Sequence, residues 1–95
     1  MLFRSGRFLL ERAGRRLQLK PLKQKATDAE NDIANLTSEI ADIDAALAHR
    51  DVFAQDAAGA ADLTRRRTTA ARALSQAEQR WLEASQAYEE AIDES

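Results

Sequence analysis

The spacing of apolar residues between Leu22 and Leu47 constrains this chain more than any other feature. Leu22, Ala26, Ala29, Ile33, Leu36, Ile40, Ile43 and Leu47 follow one another in unbroken alternating steps of four and three. This is a heptad seam, with Ala26, Ile33, Ile40 and Leu47 at a and Leu22, Ala29, Leu36 and Ile43 at d. β-Branched residues at a with leucine at d favour the pairing of two helices. A strand cannot use the spacing, because a period of two would scatter these side chains over both faces. A helix with one such stripe requires a partner to cover it.

The partner lies later in the chain. Leu63, Arg67, Ala70, Leu74, Ala77, Trp81, Ala84, Tyr88 and Ala91 repeat the same steps, with a at Arg67, Leu74, Trp81 and Tyr88. From Leu22 to Leu47 and from Leu63 to Tyr88 the two seams span equal lengths, roughly 39 Å of helix each. A connection as short as the one between them reverses the chain but cannot return the second helix parallel to the first. An antiparallel pairing sets opposite one another positions whose numbers sum to 110, such as Leu47 with Leu63, Leu36 with Leu74, Ala29 with Trp81 and Leu22 with Tyr88. Every a then meets a d, and large residues face small ones, which fills a core without voids. The predicted fold is all-α, an antiparallel two-helix coiled-coil hairpin with a basic N-terminal extension. Its helices are expected over about 21–49 and 57–92, with a tip at 50–56.

The tip carries Asp51 and Asp56, both good N-cap residues, and Asp56 is expected to open the second helix. Phe53 is expected to fold back near Leu47 and Leu63. Arg67 is a charge within the seam. Either its stem packs and its guanidinium turns to Asp42 or Asp44, or Arg65, Arg66 and Arg67 form a phosphate-binding cluster with Arg50 and Arg72. Pro21 lacks an amide hydrogen and suits a first helical turn. The first long helix is therefore expected to start there, or an earlier helix to kink there. Residues 1–19 interleave Leu2, Phe3, Phe8, Leu9 and Leu10 with arginines and are expected to form a frayed helix from about Arg7 to Leu19. They fit an exposed amphipathic helix, a mitochondrial presequence or the edge of a larger protein equally well.

Composition agrees with long helices and narrows the chemistry. The 95 residues include 3 Gly, 1 Pro and no Cys, so a disulfide framework and thiolate metal sites are excluded. A net charge of −2 conceals an asymmetry: residues 1–25 hold eight basic residues against Glu11 alone, and the remainder holds six basic and fifteen acidic residues. A polyanion is therefore expected to meet Arg12, Arg15, Arg16, Lys20, Lys23 and Lys25, with Arg65 and Arg66 contributing near the tip. No phosphate-binding glycine loop occurs, the one histidine, His49, cannot build a metal cluster, and the carboxylates sit at outward heptad positions. Trp81 and Tyr88 could stack on bases, but at heptad spacing they are expected in the core. Neither a catalytic site nor a membrane span is expected.

Three stretches carry a family resemblance: KPLKQK at 20–25, DAALAHRDVFAQDAA at 44–58 and AEQRWLEA at 77–84. Together they resemble the C-terminal coiled-coil domain of ABC-F ATPases of the Uup/YheS type. The resemblance covers about Ala13 to the C-terminus. Its most specific parts are Asp51, Phe53, Ala54 and Asp56 at the tip and Trp81-Leu82-Glu83. Val52 and Ala57 stand where that family has prolines. The resemblance implies a non-catalytic accessory module of a cytoplasmic ATPase that acts on the ribosome, with ribosomal RNA or DNA as a partner. It also implies ATP-binding cassettes upstream, so that no cofactor binds this chain itself. Residues 1–12 match nothing in that family, as expected of a piece of a longer protein. The alternative is a structural or protein-interaction coiled coil without a nucleic-acid role, and weak self-association is left open.

Overall fold

The computed structural model describes residues 2–49, 54 and 56–94, with side chains from residue 19 onward. Two helices, α1 (Leu2–Leu47) and α2 (Ala57–Glu94), pack along each other as an all-α hairpin, with no strand among the described residues. The molecule is a rod of 80 × 14 × 14 Å. Side-chain bonds between the helices fix direction and register. They join Glu30 to Trp81, Asp32 to Arg80 and Asp44 to Arg67, with numbers summing to 111, 112 and 111. The helices are antiparallel, and the register lies within two residues of the one read from the seams.

Of the two expectations at Pro21, a helix start or an earlier helix kinked there, the first does not hold. The helix does not begin at Pro21 but runs from Leu2 through it. Pro21 removes one backbone hydrogen bond, at an ordinary interior cost of about 3 kcal/mol. Here its ring is exposed, while half-buried Leu19 and Leu22 lie on either side of it. Leu19 is the a position one heptad before Ala26 and falls opposite Ala91, so the seam extends past the proline. In this register Glu94 lies level with about residue 16, and α1 continues beyond the end of α2 for roughly 20 Å.

Burial explains how two helices alone make a core. Ala29, Ile43, Ala60, Ala70, Ala77 and Ala84 are the fully buried apolar residues among those described, and in α2 all of them are alanines. A hairpin encloses only the line between its two axes. Small side chains fill that line and let the backbones approach closely. Leu22, Ile33, Leu36, Ile40, Leu47, Leu63, Leu74 and Tyr88 lie along the edges of the line, half-buried.

Trp81 departs from its expected place in the core. It is 37% exposed, at the rim of the helix pair. Its indole Nε1 donates to Glu30 Oε1 at 3.0 Å. The alanine-spaced interior has no room for a bicyclic ring, so the ring lies across the groove beside Ile33 and satisfies its N–H at the surface.

α2 opens as its sequence dictates. Asp56 Oδ1 accepts from the Gly59 amide at 2.9 Å, and the Asp56 carbonyl accepts the first helical bond from Ala60 at 3.0 Å. Asp56 is thus the N-cap, satisfying an amide that a helix start leaves without a partner. Glycine at 59 belongs to this cap, because a Cβ there would meet Asp56 Oδ2 at 2.2 Å. Asp51, Phe53 and Arg50 lie outside the described residues.

Candidate nucleic-acid interface

The basic residues singled out from sequence fall into two zones, one on each helix. At the open end, Lys20, Lys23 and Lys25 are exposed on α1. Arg12, Arg15 and Arg16 belong to the same helix nearer its N-terminus, and their side chains lie outside the described set. Lys25 borders a groove between the helices floored by Leu22, Ala29 and Ala84. Nearer the tip, Arg65 and Arg66 are exposed on α2 and border a second groove with Glu39, Thr69 and Ala73. The two zones stand roughly 30 Å apart along the axis, because Arg65 lies level with about residue 45 of α1.

Pairing decides which cations are free to meet a ligand. The Arg67 guanidinium forks onto Asp44, Nε to Oδ1 and Nη2 to Oδ2, the latter at 3.2 Å. Hydrogen bonding from Arg67, reinforced by its charge, holds the Asp44 carboxyl below the usual carboxylate range. The same bond raises Arg67 above its ordinary value. Arg67 therefore answers an acid on α1 and is not part of an open arginine cluster. Arg80 likewise bonds Asp32 across the helices at 3.2 Å. Among the described residues Lys20, Lys23, Lys25, Arg65, Arg66 and Arg72 form no ion pair. Asp42 and Asp62, the other expected competitors at the tip, engage none of them.

Sequence reasoning missed the Asp32–Arg80 and Glu30–Trp81 contacts. The first was open to detection: both residues are at g of their heptads, and g faces g in an antiparallel pair. The second depends on the ring leaving the core, which spacing alone does not reveal. The grooves are shallow and apolar-floored, no group of three or more His, Cys, Asp or Glu able to hold a metal occurs among the described residues, and no described helix is long and apolar enough to cross a membrane.

The described residues form a charged antiparallel helical hairpin with an extended first helix, the architecture of a coiled-coil module. Its family follows from sequence comparison: residues 20–86 match the family described as the ABC transporter C-terminal domain, and the chain belongs to that family. The match begins at Lys20 and takes in the first seam, the tip and the second seam as far as Ala84, Trp81 included. No curated protein and no solved structure matches the chain. A C-terminal domain of this family is an accessory domain, not a catalytic one.

Proposed function

We propose that this hairpin is the C-terminal module of an ABC-F-type ATPase of the cytoplasm and that it contributes to binding of ribosomal RNA or DNA. The observation that carries the reading is the division of cations into paired and unpaired. Asp44 and Asp32 neutralise Arg67 and Arg80, while Lys20, Lys23, Lys25, Arg65 and Arg66 are exposed and form no ion pair. Unpaired lysine and arginine on a helix suit phosphate, whose binding releases condensed counterions. The groove floors offer no base-reading chemistry, so binding is to backbone, with little sequence preference. ATP chemistry belongs to cassettes upstream in the full-length protein.

The N-terminal group, Arg12, Arg15, Arg16, Lys20, Lys23 and Lys25, supplies most of the affinity because it holds the most cations with the least competing acid. Arg65 and Arg66 add a smaller share. The test is RNA and DNA binding as a function of salt. Changing the six N-terminal residues to Gln lowers the log–log slope by about 0.7–0.9 for each phosphate no longer neutralised, and Arg65→Gln with Arg66→Gln lowers it less. A six-residue variant that binds as tightly and as salt-sensitively as the parent overturns the assignment. A parent chain that binds neither nucleic acid leaves the structural, protein-interaction coiled coil as the function.

A further inference from the structure

Charge on α2 reverses along its length. Between Leu63 and Ala77 the helix carries Arg65, Arg66, Arg67 and Arg72 and no acidic residue, whereas Glu83, Glu89, Glu90 and Asp93 follow toward its end. A helix of this kind is complementary to its own reverse. Turned end for end about a point next to Gln79, its outer face sets Arg65 opposite Asp93, Thr68 opposite Glu89 and Ser75 opposite Leu82, with numbers summing to 157 or 158. Arg67 and Arg80 take no part, since both are held by α1.

A separate observation falls on the same centre. Among the described residues the exposed large apolar side chains are Trp81, Leu82 and Ile92, and the first two, 37% and 44% exposed, form a rim beside Ile33 and Ser75. The neighbours of Leu82 along that face are polar, with Gln79 and Gln86 exposed one turn to either side. A second helix laid on this face covers Leu82 while its charges meet at both ends.

We propose that the outer face of α2 is a self-association surface whose occupant is the same face of a second copy, running antiparallel. The contact is isologous and closes at two chains. Its ends are ionic and its centre is Leu82 against Ser75, with Trp81 alongside. One contact opposes it: Glu78 comes against its own copy beside the axis, which keeps the association reversible and not obligate. This inference does not rest on the proposed nucleic-acid role, although Arg65 belongs to both surfaces, so that a polyanion and the second copy compete for it.

Sedimentation equilibrium of the chain, freed of nucleic acid and checked by its absorbance ratio, tests the surface directly. We expect a monomer–dimer equilibrium that weakens on raising salt from about 0.05 to 0.5 M, because exposed charges are screened. Arg65→Glu with Arg72→Glu makes the whole face acidic, and Glu89→Arg with Asp93→Arg makes it basic. Each pair of changes weakens self-association by roughly tenfold or more, and mixing the two variants gives a heterodimer at least as tight as the parent dimer. Glu78→Gln tightens the parent dimer. Circular dichroism verifies that each variant remains helical. A chain that stays monomeric at all accessible concentrations, an association that tightens with salt, or helical variants that fail to associate when mixed would each overturn the proposal. None of these measurements contains RNA or DNA, so failure here is separable from failure of the proposed function.

Discussion

Ala77→Leu separates the geometry of this hairpin from the generic logic of its heptads. Position 77 is a d site, where heptad reasoning prefers leucine. The three added carbons would contribute about 2.4 kcal/mol of burial at about 0.8 kcal/mol each. The structure gives the opposite sign. Ala77 is 0% exposed and is flanked along the same line by buried Ala70 and Ala84. The helices are already in contact at alanine distance, so a leucine must force them apart over neighbouring layers. Overpacking of this kind costs about 1–3 kcal/mol, and the expected gain is not realised because the enlarged gap is left incompletely filled. Urea unfolding followed by helical circular dichroism measures the difference. With a slope of about 1–3 kcal/mol per molar urea, the midpoint should fall by about 1 M. Ala77→Ser, which adds one small atom, should fall less. A midpoint that rises with an unchanged slope would refute the claim that alanine sets the helix separation.

The cap of α2 gives a second expectation: Asp56→Ala costs about 1 kcal/mol, read by the same unfolding assay. Gly59→Ala, which by helix propensity alone would stabilise by about 1 kcal/mol, brings no gain because its Cβ would lie 2.2 Å from Asp56 Oδ2 and displace the cap; a clear gain from Gly59→Ala in the parent would count against the cap geometry. Asp44 governs part of the response to acid: its folded pKa is lowered by Arg67, so the unfolded chain binds its proton more readily and stability rises with pH. That contribution is complete above the ordinary carboxylate value and is lost as pH falls through the lowered one, so Asp44→Asn flattens the acid limb of the midpoint-versus-pH curve; an unchanged limb would show the bond to be absent in solution. Trp81, as a rim residue, should be readily quenched by acrylamide in the folded chain, and protection equal to that of a core tryptophan would restore it to the interior.

What could be read from sequence depended on how local the governing physics is. The seams are periodic over four heptads, so pairing and antiparallel direction were legible, and the register came within two residues. The Asp56 cap is a one-turn feature with a specific side-chain requirement, and it too was legible. The turn of Arg67 to an acid of α1 was one of two readings the sequence left open, and the structure shows it at Asp44. Pro21 misled because the local rule weighs its missing amide but not the packing on either side, where Leu19 and Leu22 extend the seam and the ring faces outward. Trp81 misled for the opposite reason. Its spacing is right for the core, but the separation set by Ala70, Ala77 and Ala84 excludes a ring of that size. At the candidate interface the sequence offered acids for Arg65 and Arg66 as well as for Arg67, and only the fold separates paired Arg67 and Arg80 from unpaired Arg65 and Arg66.

The placement of free charge limits how a polyanion can lie on the rod. The free lysines are on α1 at the open end and the free arginines are on α2 toward the tip, so the two zones differ in both height and helix. Between them, α1 carries Asp28, Glu30, Glu39 and Asp42, all exposed, and a strand laid along α1 from Lys25 would be repelled before reaching the tip. A strand laid along α2 from Arg65 meets Glu83 and Glu89 instead. The path that avoids both acidic faces crosses obliquely, from α1 at the open end to the stretch of α2 between Leu63 and Ala77, which has no acidic residue. Under the proposed function, a ligand too short to make that crossing engages one zone only and forgoes the gain that comes from linking two sites on one molecule. Under the same reading, the packing of the two helices sets the spacing of the zones at roughly 30 Å.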